Sequence, residues 1–82
     1  MEAAGLSEAI RLEFANVLKI DLSKIDDFTD FMSLGLDSIL VIELAFQIKK
    51  RLGIVLEPQD FFEATNITEL TDLILAKSAQ TQ

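Results

Sequence analysis

Cysteine and histidine are both missing from this sequence of 82 residues. Without them the chain can form no disulfide, no cysteine nucleophile and no zinc site of the usual ligand types. The commonest general base is missing as well, so no serine here can be activated by a histidine. The absence of cysteine fits a reducing compartment, and we expect the protein to be cytoplasmic.

Basic residues are scarce, with seven lysines and arginines against fourteen acidic residues and a net charge of −7. A nucleic-acid partner is therefore not expected, because phosphate binding needs clustered cations. The one basic cluster, Lys49–Arg51, falls in the last turn of a predicted helix, where cations complement the helix dipole; a binding patch is the less favoured alternative. No apolar run is long enough to span a membrane, and the first residues do not resemble a signal peptide. We predict one acidic, soluble domain over residues 1–82, with basic proteins as partners.

Helical spacing of apolar residues predicts an all-α fold, a small four-helix bundle with three main helices and a short third one. The first helix is predicted over 7–20 with Ser7 as its N-cap, and the second over 38–52 with Gly53 ending it. Residues 1–5 and 78–82 are expected to be frayed ends.

The two remaining helices are predicted from capping signals. Asp60 is expected to cap the short third helix, which carries Phe61 and Phe62. Asn66 is expected to cap the fourth helix, with Glu69 reaching back in a capping box, and that helix ends near residue 77.

A long loop, residues 21–37, separates the first two helices and shows no helical or strand period. Loops of this length in compact domains tend to be functional or disordered. Six large apolar side chains argue against disorder and predict that the loop is pinned to the core. A calcium site around the segment DDFTD is a weak alternative, because the loop lacks the glycine and the closing glutamate of an EF-hand.

The second helix has two apolar faces. One stripe has the spacing of a core face and consists of Val41, Leu44, Ala45, Ile48 and Leu52. Ile39, Ile42 and Phe46 lie on a separate arc beside Glu43. Either the long loop folds over this second arc, or the arc is a docking surface for another protein.

The segment LGLDSIL, residues 34–40, opens that helix. Gly35 would let the chain turn, and Asp37 or Ser38 would cap the helix. The same geometry suits a modified serine, because a helix N-terminus favours an anion such as a phosphodiester. Asp37 could then help to bind the Mg²⁺ of an enzyme that delivers the phosphate.

These residues resemble the acyl carrier protein family, most closely the carrier domains of polyketide synthases. FMSLGLDSILVIEL is similar to the family's central motif around its modified serine, FANVLKID to the end of its first helix, and FFEATNITELTDLI to its closing segment. The resemblance implies that Ser38 carries 4′-phosphopantetheine, with Asp37 as the neighbouring acid that contacts metal and transferase. It also implies that partner enzymes recognise Ile39, Ile42, Glu43 and Phe46.

The implied activity is carriage of acyl thioesters and not catalysis, with no resident metal. The partners implied are a phosphopantetheinyl transferase and the ketosynthase, acyltransferase and other domains of a synthase, with no nucleic acid and no membrane, and the chain is expected to be a monomer. Leu36 stands where peptide-synthetase carriers more often have glycine, which favours polyketide or fatty-acid chemistry. A fatty-acid carrier and an unmodified helical interaction domain remain alternatives.

Overall fold

The computed structural model describes residues 3–80, with side chains from residue 5 to residue 77. Four α-helices follow one another as α1 (Ala3–Leu18), α2 (Ser38–Leu52), α3 (Asp60–Glu63) and α4 (Ile67–Gln80). Two short 3₁₀ turns, η1 (Leu22–Lys24) and η2 (Phe31–Leu34), lie between α1 and α2. Residues 3–80 contain no strand. The all-α prediction, with three main helices and a short third one, is confirmed.

Helix α1 is the centre of the bundle, because it packs against both α2 and α4. Its apolar side is buried at Leu6, Ile10, Phe14 and Val17, and Leu18 is half-buried against the core. Helix α3 packs against α4 and contributes Phe61 to the same core. No helix in the described part of the chain is both long and apolar enough to cross a membrane.

Both terminal helices run further outward than predicted. Helix α1 begins at Ala3, so Ser7 lies inside it and is not its N-cap. Helix α4 continues beyond the predicted end to Gln80. Residues 1–2 and 81–82, which belong to the predicted frayed ends, lie outside the described residues.

The end of α1 is formed by a lysine in a backbone conformation that usually belongs to glycine. Lys19 has φ 59°, and the Ile20 amide donates to the Ala15 carbonyl at 3.2 Å. This bond satisfies a carbonyl that the helix end would otherwise leave unpaired. The predicted end at Ile20 is two residues too late, because nothing in the sequence marks Lys19 as a helix terminator.

Asp60 has a different role from the one predicted. It is buried, and its Oδ2 accepts a hydrogen bond from the Glu57 amide at 2.8 Å. The same oxygen forms an ion pair with Lys77 Nζ at 2.7 Å. The turn that leads into α3 starts at Glu57, whose carbonyl accepts from the Asp60 amide at 2.9 Å. The Asp60 side chain closes this turn and ties α3 to α4 through Lys77.

The cap of α4 is confirmed at Asn66, whose Oδ1 accepts from the Glu69 amide at 2.8 Å. Glu69 reaches back one residue further than predicted. Its Oε1 accepts from the Thr65 amide at 2.9 Å and from the Thr65 hydroxyl at 3.0 Å. The carboxylate thus fixes the junction between α3 and α4.

Replacing Lys19 with glycine is expected to stabilise the fold. A residue with a Cβ strains the left-handed conformation, whereas glycine adopts it freely. After the extra flexibility of glycine in the unfolded chain is subtracted, we expect a gain of about 0.5–1 kcal/mol in the free energy of unfolding, measured by urea denaturation. Lys19→Ala is the control, because it removes the charge but keeps the strain. Equal stability of the two variants would contradict the explanation.

Candidate functional site

The loop between α1 and α2 is held at two points. The ring of Phe31 stacks on that of Phe14 at a centroid distance of 4.8 Å, and its amide donates to the Thr65 carbonyl at 2.9 Å. Further back, the Asp27 carbonyl accepts from the amide and the hydroxyl of Thr68 at 3.1 and 3.2 Å. The loop is therefore fixed to α1 and to the start of α4, whereas the sequence predicted only that its apolar side chains would pin it to the core.

The prediction that all six large apolar side chains of the loop pin it to the core is wrong in part. Ile25, Phe31 and Leu36 are buried, and Leu34 is half-buried. Phe28 and Met32, by contrast, are 76% and 74% exposed. Their amides are engaged by loop aspartates, so local turn geometry directs these residues outward.

The loop aspartates bind backbone amides or an arginine side chain. Asp21 and Asp30 accept from the amides of Ser23 and Met32, and each caps a 3₁₀ turn. Asp27 pairs with Arg11 at 3.2 Å. Among the residues that the structure describes, no group of three or more potential ligands could hold a metal ion. The calcium alternative therefore finds no support in this geometry.

Asp26 organises the turn of the loop that presents Phe28 to solvent. Its Oδ1 accepts from the Phe28 amide at 2.8 Å and from the Thr29 hydroxyl at 3.0 Å. These hydrogen bonds, the Phe28 amide first, lower the pKa of Asp26 below its ordinary value of 3.8. The pKa of Asp26 is thus lower in the folded chain than in the unfolded one. These hydrogen bonds therefore contribute their full stabilisation above the ordinary pKa, and the stabilisation is lost as the pH falls through the lowered pKa.

Gly35 turns the chain from η2 toward α2. It adopts φ 81°, and its amide donates to the Met32 carbonyl at 3.2 Å. Leu36 then returns to the core, so that Asp37 and Ser38 emerge at the surface. The burial of Leu36 therefore fixes the point at which the chain leaves the core and presents the serine.

Of the two predicted caps, Asp37 is the one that caps α2. Its Oδ1 accepts from the Leu40 amide at 2.8 Å. Ser38 is the first residue of the helix and is exposed to solvent. Its hydroxyl is thus free of the capping role and stands at the positive end of the helix dipole, a position that favours an attached anion.

The second apolar arc of α2 is open to solvent. Ile39, Ile42 and Phe46 are 73%, 61% and 59% exposed, and Glu43 beside them is exposed as well. The alternative that the loop folds over this arc is therefore wrong, because Phe31 and Thr65 hold the loop elsewhere. We call Ile39, Ile42, Glu43 and Phe46 the α2 face.

The core side of α2 matches the predicted stripe. Val41, Leu44 and Ile48 are buried, while Ala45 and Leu52 are half-buried against the core. Gly53 ends the helix with φ 70°, and its amide donates to the Lys49 carbonyl at 3.0 Å. The two faces of α2 thus separate cleanly into a packed side and a free side.

A small cleft lies between η2 and α3. It has a volume of about 80 Å³ and is lined by residues that include Phe31, Leu36, Phe61 and Phe62. Binding sites for small molecules usually measure roughly 300–1,000 Å³. In this conformation the cleft is therefore too small to hold a long acyl chain.

Comparisons with known proteins agree with this geometry. A family described as "phosphopantetheine attachment site" matches residues 8–74. The chain belongs to this family of acyl and peptidyl carrier domains, whose members attach the prosthetic group 4′-phosphopantetheine and act as non-catalytic tethers. A comparison with curated protein sequences gives no match.

The solved structures that share the fold include two carrier proteins. A free-standing peptidyl carrier protein from an uncharacterised secondary metabolic pathway of Acinetobacter baumannii is 25% identical, with a TM-score of 0.82, over 93% of this chain and 95% of that one. The HMG-ACPI domain of the CurA module from Lyngbya majuscula is 22% identical, also with a TM-score of 0.82, over 99% of this chain and 83% of that one. The second likeness shows the fold alone.

Sequence reasoning missed the residues that fix the site from a distance. The acceptor for the Phe31 amide is the Thr65 carbonyl, and Thr65 is itself held by Glu69. A backbone acceptor leaves no residue-type signal in a sequence. The only available clue was the phenylalanine four residues before Gly35.

Removing the cap and removing the serine are expected to have different effects on stability. Asp37→Ala should lower the free energy of unfolding by about 1 kcal/mol, because the Leu40 amide loses its acceptor. Asp37→Asn should retain most of the stabilisation by the cap, since asparagine caps nearly as well. Ser38→Ala should change the free energy of unfolding by less than about 0.5 kcal/mol. Urea denaturation measures all three. A larger loss for Ser38→Ala than for Asp37→Ala would contradict the assignment of the cap.

Proposed function

We propose that Ser38 carries 4′-phosphopantetheine and that the chain shuttles thioester-bound acyl groups between the enzymes of a polyketide synthase. The observation that supports this most strongly is the exposed hydroxyl at the first position of α2, in a family that attaches this group. The protein acts as a single domain over residues 1–82, as a monomer in the cytoplasm. It supplies a tether and leaves catalysis to its partners.

The modification itself is performed by a phosphopantetheinyl transferase. The Ser38 oxygen loses its proton to a base and bonds to the phosphorus that bears the pantetheine arm of coenzyme A. The bond from that phosphorus to the bridging oxygen of the diphosphate breaks, and adenosine 3′,5′-bisphosphate leaves. The proposal assigns the base to the transferase, since this chain has no histidine to pair with Ser38. The product is a phosphodiester whose negative charge lies beside the N-terminus of α2, where the dipole stabilises it.

Asp37 has a second role in this proposal. Its Oδ1 is used by the Leu40 amide, and the structure gives Oδ2 no hydrogen bond. That oxygen can therefore reach the Mg²⁺ of a transferase, since Mg²⁺ prefers carboxylate and phosphate oxygens. One side chain would thus both start the helix and help to position the incoming phosphate.

The α2 face serves as the docking surface for the transferase, the ketosynthase, the acyltransferase and other synthase domains. Its apolar side chains are exposed without any partner in the bundle, and Glu43 adds one charge. A carrier must leave each partner after transfer, so a small contact of this kind suits it better than a large permanent interface. The tether raises the local concentration of substrate at each enzyme.

The choice of polyketide chemistry is supported by residues around the serine. Leu36 fills the place where peptide-synthetase carriers more often have glycine, and Lys49 and Lys50 stand where fatty-acid carriers are commonly acidic. Carriage in fatty-acid synthesis is the second candidate, supported by the same segment LGLDS.

Loading of Ser38 can be followed by intact mass. Incubation with coenzyme A and a broad-specificity phosphopantetheinyl transferase should add one phosphopantetheine to the wild-type chain and none to Ser38→Ala. Circular dichroism of the variant should show the same helical fold. An unchanged wild-type mass, or equal loading of the variant, would contradict the proposed site.

The α2 face can be tested with two exposed phenylalanines. Phe46→Ala should lower kcat/KM for loading by the same transferase about tenfold, because an apolar contact is lost at the interface. Phe28→Ala is the matched control, since Phe28 is also exposed but lies in the loop. Neither change should alter the free energy of unfolding by more than about 0.5 kcal/mol. Equal losses of kcat/KM for both variants would argue against a docking role that is specific to α2.

A further inference from the structure

The positive charges of this acidic protein fall into two groups. All seven cationic residues lie within the part of the chain whose side chains are described. Three of them form ion pairs, Arg11 with Asp27, Arg51 with Glu13 and Lys77 with Asp60. The four cations outside these ion pairs are Lys19, Lys24, Lys49 and Lys50.

Two of these four lysines continue the α2 face. At about 100° per residue, Lys49 is turned only about 20° from Ile42, and Lys50 only about 40° from Phe46. Both are exposed. With a rise of about 1.5 Å per residue, they lie roughly 17 Å along the helix from Ser38. The exposed side of α2 therefore runs from the serine across apolar residues to a pair of unpaired cations.

This arrangement gives α2 an acidic beginning and a basic end. Asp37 caps the helix and Glu43 lies in its first half, whereas the last turn carries the lysines. The helix dipole stabilises cations anywhere in the last turn and does not require them on the exposed side. Arg51, in the same turn, is turned toward the buried Glu13. Lys49 and Lys50 are thus the positive charges that a docking partner would meet on this side of α2.

We propose that the partner enzymes of this carrier present carboxylates about 17 Å from the place that receives Ser38, beyond an apolar recess for the α2 face. This inference rests on the proposed carrier function and adds the charge pattern of the partner. Opposite charges there would speed association and fix the register of the two proteins. A partner with a uniformly basic docking surface would be repelled by the same two lysines, which provides selectivity.

The test compares two ketosynthases as probes, one with aspartate and glutamate around its carrier docking site and one with lysine and arginine there. The substrate is the phosphopantetheinylated protein carrying an acetyl thioester. The variant Lys49→Gln/Lys50→Gln removes both charges, and Lys19→Gln/Lys24→Gln is the control with the same change in net charge at other sites. Lys49→Arg/Lys50→Arg retains the charges. The measured quantity is kcat/KM for acyl transfer at about 0.1 M and about 1 M salt.

We expect Lys49→Gln/Lys50→Gln to lose about 3- to 10-fold in kcat/KM with the acidic ketosynthase at the lower salt concentration and to gain with the basic one. Both effects should largely disappear at about 1 M salt. The control should stay within about twofold, and the arginine variant should behave like the wild type.

Two results would overturn the inference while leaving the carrier function intact. One is normal loading and transfer with no effect of Lys49→Gln/Lys50→Gln on either ketosynthase. The other is an equal effect of both glutamine double variants, which would show that only net charge matters. Failure of every form of the chain to accept phosphopantetheine would instead overturn the carrier function itself.

Discussion

The stacking of Phe31 on Phe14 is the interaction on which the site depends. It anchors the long connection between α1 and α2 to the central helix, and the Thr65 carbonyl adds a second hold on the same residue. Without these contacts the loop would recover its conformational entropy, about 1–2 kcal/mol for each residue released. Because Phe31 is fixed, Gly35, Leu36 and Asp37 adopt a defined backbone conformation. This conformation places Ser38 at the start of α2.

A second consequence concerns the free side of α2. The loop is held against α1 and the start of α4, so it does not cover Ile39, Ile42 and Phe46. Contiguous exposed apolar side chains of this kind often mark interaction sites, because a partner protein can bury them. The same constraint therefore places an unhindered hydroxyl and an open docking surface side by side on one helix.

Much of this arrangement could be predicted from the sequence, because it follows from local rules. Helical spacing separated the core stripe of α2 from its exposed arc, and Gly53 and Asn66 marked a helix end and a helix start. The errors arose where a residue acts against its usual preference or through distant contacts. Lys19 adopts a left-handed conformation, and Asp60 turns inward to meet Lys77.

Errors in the loop have a related physical origin. The apolar residues of the loop were expected to be buried, yet Phe28 and Met32 are exposed. Their backbone amides donate hydrogen bonds to Asp26 and Asp30, and the resulting turns direct both side chains outward. Composition identifies such aspartates, but it does not show which amide each one binds. The sequence also gives no sign that the Thr65 carbonyl accepts a hydrogen bond from the loop, because every residue has a carbonyl group.

The most direct test of the central claim is solution NMR of the unmodified protein. If the loop is anchored as described, nuclear Overhauser effects will connect the ring protons of Phe14 and Phe31, and the Phe31 amide will exchange slowly with solvent because it is bonded to Thr65. Absence of these effects, together with rapid exchange of the Phe31 amide in an otherwise folded protein, would contradict the account.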